Sequence, residues 1–553
     1  MRQSPAALVA AVLVVLAATG AVVPLVAGAP ASGPPGDAPP EDPPADALGW
    51  EDGYWYNESI PVTAADGFND TERDAVVSRS MARVERIRRL EFERRVPVEV
   101  VTRQQLRDRL ATLAGPVSRA DRLHQNVKYE ALYMVGESTD ALAVQRANRG
   151  ATIGGYYDPR SGRIVLVSEN ATAPRIDEIT LAQELFHALQ DQRFDVDWQR
   201  GSTREAHNAL DGIVEGDGNY VDYLYERRCE AEWNCLADST APPAAGDTAV
   251  ANFGMYLLAF QPYSDGPPFV KAIHESGGWA AVNAVYENPP ASTEQTIHPE
   301  KYGVDAPTNV TVADRSDDRW RPLDLEGSVD HAAFGEAGIF SMLWYPSYEA
   351  SQRSGTVTNV VIPYAKPFNL GNDSRLDRLD PINYSHPASA GWDGDRLLPY
   401  VTDESRETNE TGYVWKTAWD TERDAREFAA AYRKLLEYHD AERVGNATYR
   451  LPEDGGSGDA VHLVVRNKTV TIVNAPTVDD LSGVRTSVTV EPIEAGGGAG
   501  AGDGAENRTT NGTENRSNAT DGGSGASGPG FGPPAALVAL ALVLVALLAR
   551  ARS

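Results

Sequence analysis

Apolar residues recur at helical spacing through 180–192, where Leu181, Leu185, Ala188 and Leu189 share one face and Gln183, Glu184 and His187 occupy the next. Upstream, 71–89 reads as an amphipathic helix studded with arginine. Residues 96–101 read as a strand with Pro97 at its start, and 103–113 as a helix. Residues 151–168 alternate as a hairpin around the turn Asp158-Pro-Arg-Ser-Gly162. Downstream, Leu210, Ile213, Asp217, Tyr220 and Leu224 predict a helix over 205–227, with further helical segments over 252–285 and 335–345. The loop 389–395 leads into a strand over 396–402. A strand (413–417), a helix (421–438) and a hairpin (461–465 with 470–473) complete the pattern. It predicts an α+β fold, helix-rich with a small mixed sheet.

The 553 residues are 42% apolar, enough for one large or two moderate cores. Net charge is −29, and seven of the 50 basic residues are Lys. An acidic surface that avoids Lys resembles halophile proteins; high-GC codon bias in an acidic mesophile gives the same composition. Phosphate binding needs basic patches and none stands out, so nucleic acid is not an expected partner. Residues 1–29 carry Arg2, an apolar run from Ala6 to Ala18 and Ala27-Gly-Ala29, the pattern of a signal peptide or of an uncleaved anchor. A Pro-rich disordered linker (30–48) precedes the extracellular region, 49–490. Cys229 and Cys235, the only cysteines, most simply form a local disulfide outside the cell, a two-Cys metal site being the alternative. A low-complexity stalk (491–528) carries glycosylation acceptors at Asn507, Asn511, Asn515 and Asn518. Residues 529–553 hold Pro529-Gly-Phe531, an apolar stretch and terminal Arg. This tail resembles the PGF-type sorting signal of halophilic archaea, which implies an archaeosortase partner and a lipid anchor. An ordinary C-terminal membrane helix is the alternative, and both imply a cell-surface protein.

Glu184 and His187 stand where the zinc-peptidase pattern H-E-x-x-H has its general base and second ligand, with Gln183 at the first ligand position. The run Gln183-Glu-Leu-Phe-His-Ala-Leu-Gln-Asp-Gln192 resembles the H-E-x-x-H helix of secreted zinc-metallopeptidase-type proteins of haloarchaea and bacteria. Val214-Glu-Gly-Asp217 resembles their downstream E-G-D segment, and Ser292–Gln295, His298–Lys301 and 391–395 resemble further family segments. The resemblance covers roughly residues 70–475. It implies a zincin-like fold and a peptide or protein substrate. It also implies zinc held by His187 and Glu215, with Glu184 as general base. His298 is a candidate for contacting the substrate carbonyl, and Asp191 or Asp217 for orienting a ligand. Glycines flanking Glu215 suggest close approach by another element.

Gln183 departs from that pattern. An amide oxygen replaces imidazole poorly on Zn²⁺, which prefers N, S and carboxylate ligands. Three expectations follow: a non-catalytic surface relative, a working peptidase whose metal Gln183 or another residue completes, or a structural helix that merely contains E-x-x-H.

Overall fold

The computed structural model describes residues 39–491 apart from 63–66, 114–116, 153, 169, 195, 197–201, 237–249, 326–327, 372–373 and 453–457. The signal-type segment, most of the linker, the stalk and the sorting tail therefore lie outside the described residues, as do the terminal apolar helices expected there. Among those described, no helix is long and apolar enough to cross a membrane.

A short hairpin, β1 (Trp50–Glu51) and β2 (Tyr54–Trp55), leads to α1 (Asp70–Arg88). A capping box between Asn69 and Glu72 starts α1, and Arg89 in a left-handed conformation ends it. The arginines of α1 do not all face solvent, as an amphipathic helix would place them. Arg79, Arg83 and Arg88 are fully buried, each against a buried acid. A charged interior position survives only when paired, so the helix is wrapped on nearly every side. Then come β3 (Val98–Val101), α2 (Arg103–Leu113), α3 (Arg119–Glu130) and α4 (Ala141–Thr152), followed by the hairpin β4 (Gly155–Asp158) and β5 (Arg163–Val167). These strands form a three-stranded mixed sheet, order β3-β5-β4, parallel at β3–β5 and antiparallel at β4–β5.

Glu51 and Glu85 join the β1–β2 hairpin to α1. Glu85 accepts the backbone N–H groups of Gly49 and Phe92, each at 2.8 Å. Burial first, and then the Glu85 charge, push the Glu51 carboxyl up to about 9, so neutral Glu51 donates to Glu85 at pH 7. A folded-state value above the unfolded one makes stability fall as pH rises toward the folded value. Raising pH from 7 to 9 should therefore lower the unfolding free energy. Denaturant titrations at both pH values check this, and Glu51→Gln should flatten the dependence.

Helices α5 (Glu178–Phe194), α6 (Arg204–Ala231), α7 (Phe253–Glu287) and α8 (Thr293–Ile297) carry the middle of the chain. Leu181, Leu185, Phe186 and Leu189 of α5 pack with Val76, Val84 and Ile87 of α1 and with Ile164 and Leu166 of β5. The α7 helix runs through Pro262, Pro267 and Pro268 and kinks at Gly278, where φ is 67°.

The rest is larger than the small sheet expected. It comprises β6 (Arg321–Pro322), α9 (Gly335–Ser354), β7 (Trp392–Val401), α10 (Ser405–Thr408), β8 (Gly412–Trp419), α11 (Glu422–Tyr438), β9 (Glu442–Arg443), β10 (Thr448–Arg450), β11 (Ala460–Arg466), β12 (Thr469–Ala475) and α12 (Leu481–Val484). Seven strands form one antiparallel sheet in the order β6-β7-β8-β12-β11-β10-β9. Trp415 and Trp419 of β8 pack with Phe428 and Tyr432 of α11, and Tyr400, Val414 and Val473 pack with Trp320 and Leu481 in a separate core. The molecule is a mixed α+β protein.

Candidate metal centre

Helix α5 is buried from Leu181 to Gln190, which takes its polar residues inside with its apolar ones. Gln183, Glu184 and His187 are 1%, 2% and 4% exposed, and Glu215 on α6 is 6% exposed. His187 Nε2 lies 3.4 Å from Glu215 Oε2. Two ligands on one tetrahedral metal with bonds of ~2.1 Å are separated by about that distance, so this pair fits two corners of a metal site. Gln183, one turn before His187, shares its face. Its Oε1 and Glu215 Oε2 are buried without a hydrogen-bond partner. The 3.4 Å contact lies within ion-pair range.

The glycines around Glu215 do accommodate close approach. A Cβ at Gly218 would sit 3.2 Å from His187 Cε1, and one at Gly216 would meet the Gly266 backbone of α7 at 2.6 Å. At Gly212 a Cβ would strike the Thr296 methyl of α8 at 2.5 Å. Beside Glu184 runs β4, an edge strand. Gly154 O accepts from Val167 N, so by alternation Gly155 and Tyr157 turn their backbone groups away from β5, toward the outer edge of the sheet. The Tyr157 N–H donates to the Glu184 carboxylate. Glu184 is thus tied to the β4 edge of the sheet.

The imidazole is oriented by a residue that sequence reasoning passed over. His187 Nδ1 lies 2.7 Å from Gln190 Oε1, and Gln190 Nε2 donates to Val214 O at 2.8 Å and to Tyr286 Oη at 2.6 Å. With Gln190 accepting at Nδ1, the ring turns its Nε2 toward Glu215. Tyr286 in turn donates to Asp217 at 2.8 Å. Asp217 therefore reaches His187 through two intermediaries, while Asp191 instead accepts from Tyr157 Oη at 2.6 Å. Nothing in the sequence singles out Gln190 beyond its place three residues after His187, and Tyr286 is nearly a hundred positions away.

Burial drives the Glu184 carboxyl up to about 7, with His187 pulling it down and Glu215 pushing it up. Burial pulls His187 down, but Glu215, Glu184 and Gln190 overcome it and hold the imidazole at about 10. His187 and Glu215 thus face each other as an ion pair at 3.4 Å.

His298 follows α8, and its Nε2 is held by buried Glu336 at 3.1 Å, with Glu300 and Glu294 as its other charged neighbours. It belongs to a second cluster, in which Glu294, Asp305 and Asp420 bring carboxylate oxygens within 4.8 Å of one another. Such a triad could hold a metal, but Lys301 Nζ sits among the three at 2.6, 3.1 and 2.8 Å respectively. Three donors meet three acceptors, and the ammonium serves as the internal cation. Lys301→Ala should cost about 2–3 kcal/mol at pH 7 by leaving three facing carboxylates unneutralised. Its thermal midpoint should rise with added Ca²⁺ where the parent's does not. Calorimetry with and without Ca²⁺ measures both.

Cys229 and Cys235 are disulfide-bonded across the end of α6. Arg83 reaches Cys235 Sγ at 3.4 Å, so the loop is fastened to the buried arginines of α1.

A sequence family described as a domain of unknown function (DUF8575) matches residues 321–485. That span holds the seven-stranded sheet with α9, α11 and α12, and leaves Gln183, Glu184, His187 and Glu215 outside it. No curated protein and no solved structure matches the chain.

Proposed function

We propose that the chain is an exported, surface-anchored, zincin-like protein whose Q-E-x-x-H centre has impaired or absent peptidase activity. The carrying observation is the His187–Glu215 pair at 3.4 Å, on helices packed beneath a strand edge that engages Glu184. Metal-assisted hydrolysis needs a well-held metal with an open position and a base for its water. Here the first ligand position offers a neutral amide in place of an imidazole, and zinc affinity falls with it. The β4 edge remains able to receive an extended peptide by strand addition. The chain then acts as a peptide-binding surface protein; a residual zinc peptidase using His187, Glu215 and Gln183 is the second reading, favoured by the unpartnered Gln183 oxygen. His298 is kept as a carbonyl-contacting candidate only in that second reading. The disulfide accords with an oxidising compartment outside the cell. Peptide or protein ligands, the membrane and an archaeosortase are the proposed partners.

The test is zinc content of the purified full chain beside its Gln183→His variant, with peptide hydrolysis measured on both. The parent is expected to hold well under one zinc per chain and to show background hydrolysis, and the variant to load zinc. Hydrolysis by the parent that disappears in Glu184→Gln would sink the inactive reading.

A further inference from the structure

The donor set around His187 is poor for zinc and well matched to a different cation. Gln183 Oε1 is an amide oxygen on a residue 1% exposed, with no hydrogen-bond partner. Glu215 Oε2 lies 3.4 Å from His187 Nε2, within ion-pair range. Two turns along the same face of α6, Asp222 is fully buried with both carboxylate oxygens unpartnered. Helix register places it level with Gln183. Gly218 abuts His187, and Tyr225 donates to Glu178 at 2.6 Å, so α6 and α5 run in opposite senses and Asp222 falls opposite the 182–183 turn. A buried polar oxygen with no donor costs about 1–3 kcal/mol, and three of them, Gln183 Oε1 and both Asp222 oxygens, on one helix–helix seam are not a solvated accident. An amide oxygen and a carboxylate with one imidazole make an oxygen-rich set, and such donors suit Mn²⁺-class ions, whereas zinc gains most from N and S ligands.

We infer that Gln183 is itself a metal ligand, through its amide oxygen, and that with His187 and Glu215 it forms a site for an oxygen-preferring divalent cation of the Mn²⁺ class, with the Asp222 carboxyl buried behind it. The inference rests on the degenerate metal-site reading above and names the cation that site retains. Relative to a site with histidine at 183, the glutamine costs zinc more than manganese. The intrinsic order of divalent affinities still favours zinc, so the signature is a narrowed ratio and not an inversion.

The experiment measures Mn²⁺ binding to the full chain by loss of the free-ion paramagnetic resonance signal, and Zn²⁺ binding by competition with a chromophoric chelator. The proteins are the parent, Gln183→His and Gln183→Met, the last filling similar volume without an oxygen donor. The zinc-over-manganese affinity ratio is expected to be lower in the parent than in Gln183→His by about a hundredfold or more. Gln183→Met is expected to lose Mn²⁺ affinity by about tenfold or more, with its circular dichroism unchanged. Equal ratios in parent and Gln183→His, or Mn²⁺ binding undiminished in Gln183→Met, would overturn the inference while leaving the metal-site reading standing. Failure of all three proteins to bind either ion would overturn both.

Discussion

Replacing Glu178 with alanine should lower the unfolding free energy by about 4 kcal/mol at neutral pH, the range for leaving a buried charge without its partner. Glu178 stands in the first turn of α5 and accepts five hydrogen bonds from four donors. Arg79 Nη2 reaches both carboxylate oxygens at 3.1 Å, Arg83 Nη1 one of them at 2.5 Å, Tyr225 Oη at 2.6 Å and Leu236 N at 2.7 Å. The two guanidiniums are 1% and 0% exposed, so removing the acid strands two cations where water does not reach. Backbone carbonyls of Tyr56, Glu58 and Asn234 would remain to them, which solvate but do not neutralise. Burial raises the Glu178 carboxyl, but Arg79 and Arg83 together with Leu236 and Tyr225 bring it below the ordinary carboxylate value. Its stabilisation is therefore complete at neutral pH and is lost as pH falls through that lowered value. Glu178→Gln keeps the acceptor oxygen and should cost about half as much. Denaturant melts of the full chain at pH 7 and pH 3 read both effects. A loss under 1 kcal/mol for the alanine variant at pH 7 would mean that the arginines find other partners.

The same arginines show where sequence reading reaches its limit. Periodicity located the helices well where apolar faces are regular: 71–89 became Asp70–Arg88 and 205–227 became Arg204–Ala231. It placed the charges of α1 in water, because the acids that neutralise them come from Glu178 and Asp217, 99 and 129 positions away. Helix α9 was expected to end at 345, but Pro346 sits within it and the helix runs on to Ser354. The strands of the large sheet read as short pieces because burial on both faces hides their alternation, and their antiparallel register is a long-range property. At the candidate centre the spacing of Glu184, His187 and Glu215 was legible, and the structure brings His187 and Glu215 together. What spacing did not disclose is the layer behind them. Gln190 lies in the quoted helix run without a role to mark it, and Tyr286 and Asp222 have no motif; each is identified by a hydrogen bond, or by the lack of one, across two helices.

Asp217→Ala is expected to cost about 3–5 kcal/mol and to loosen the candidate metal site as well. Asp217 and Arg88 are both 0% exposed, and the guanidinium grips the carboxylate through Nε and Nη2 at 2.9–3.1 Å. Arg88 also donates to Asn283 Oδ1 at 2.7 Å and lies 4.4 Å from the Trp279 ring centroid, contacts that fix it in place but supply no counter-charge equal to the lost carboxylate. The same carboxylate accepts from Tyr286, which binds the Gln190 amide that orients His187. Truncation thus removes two things: neutralisation of Arg88, which appears as stability, and the far end of the chain that orients the imidazole, which appears as metal affinity. Tyr286→Phe separates them. It leaves the Arg88–Asp217 pair intact and should cost only about 1 kcal/mol in denaturant melts. Metal affinity should nevertheless fall about tenfold, because an outer hydrogen bond that fixes a ligating imidazole acts on binding more than on folding. Mn²⁺ titrations of the two variants against the parent decide it. Undiminished affinity in Tyr286→Phe would mean that Val214 O alone holds Gln190 in place, and that Asp217 is a structural anchor with no reach to the centre.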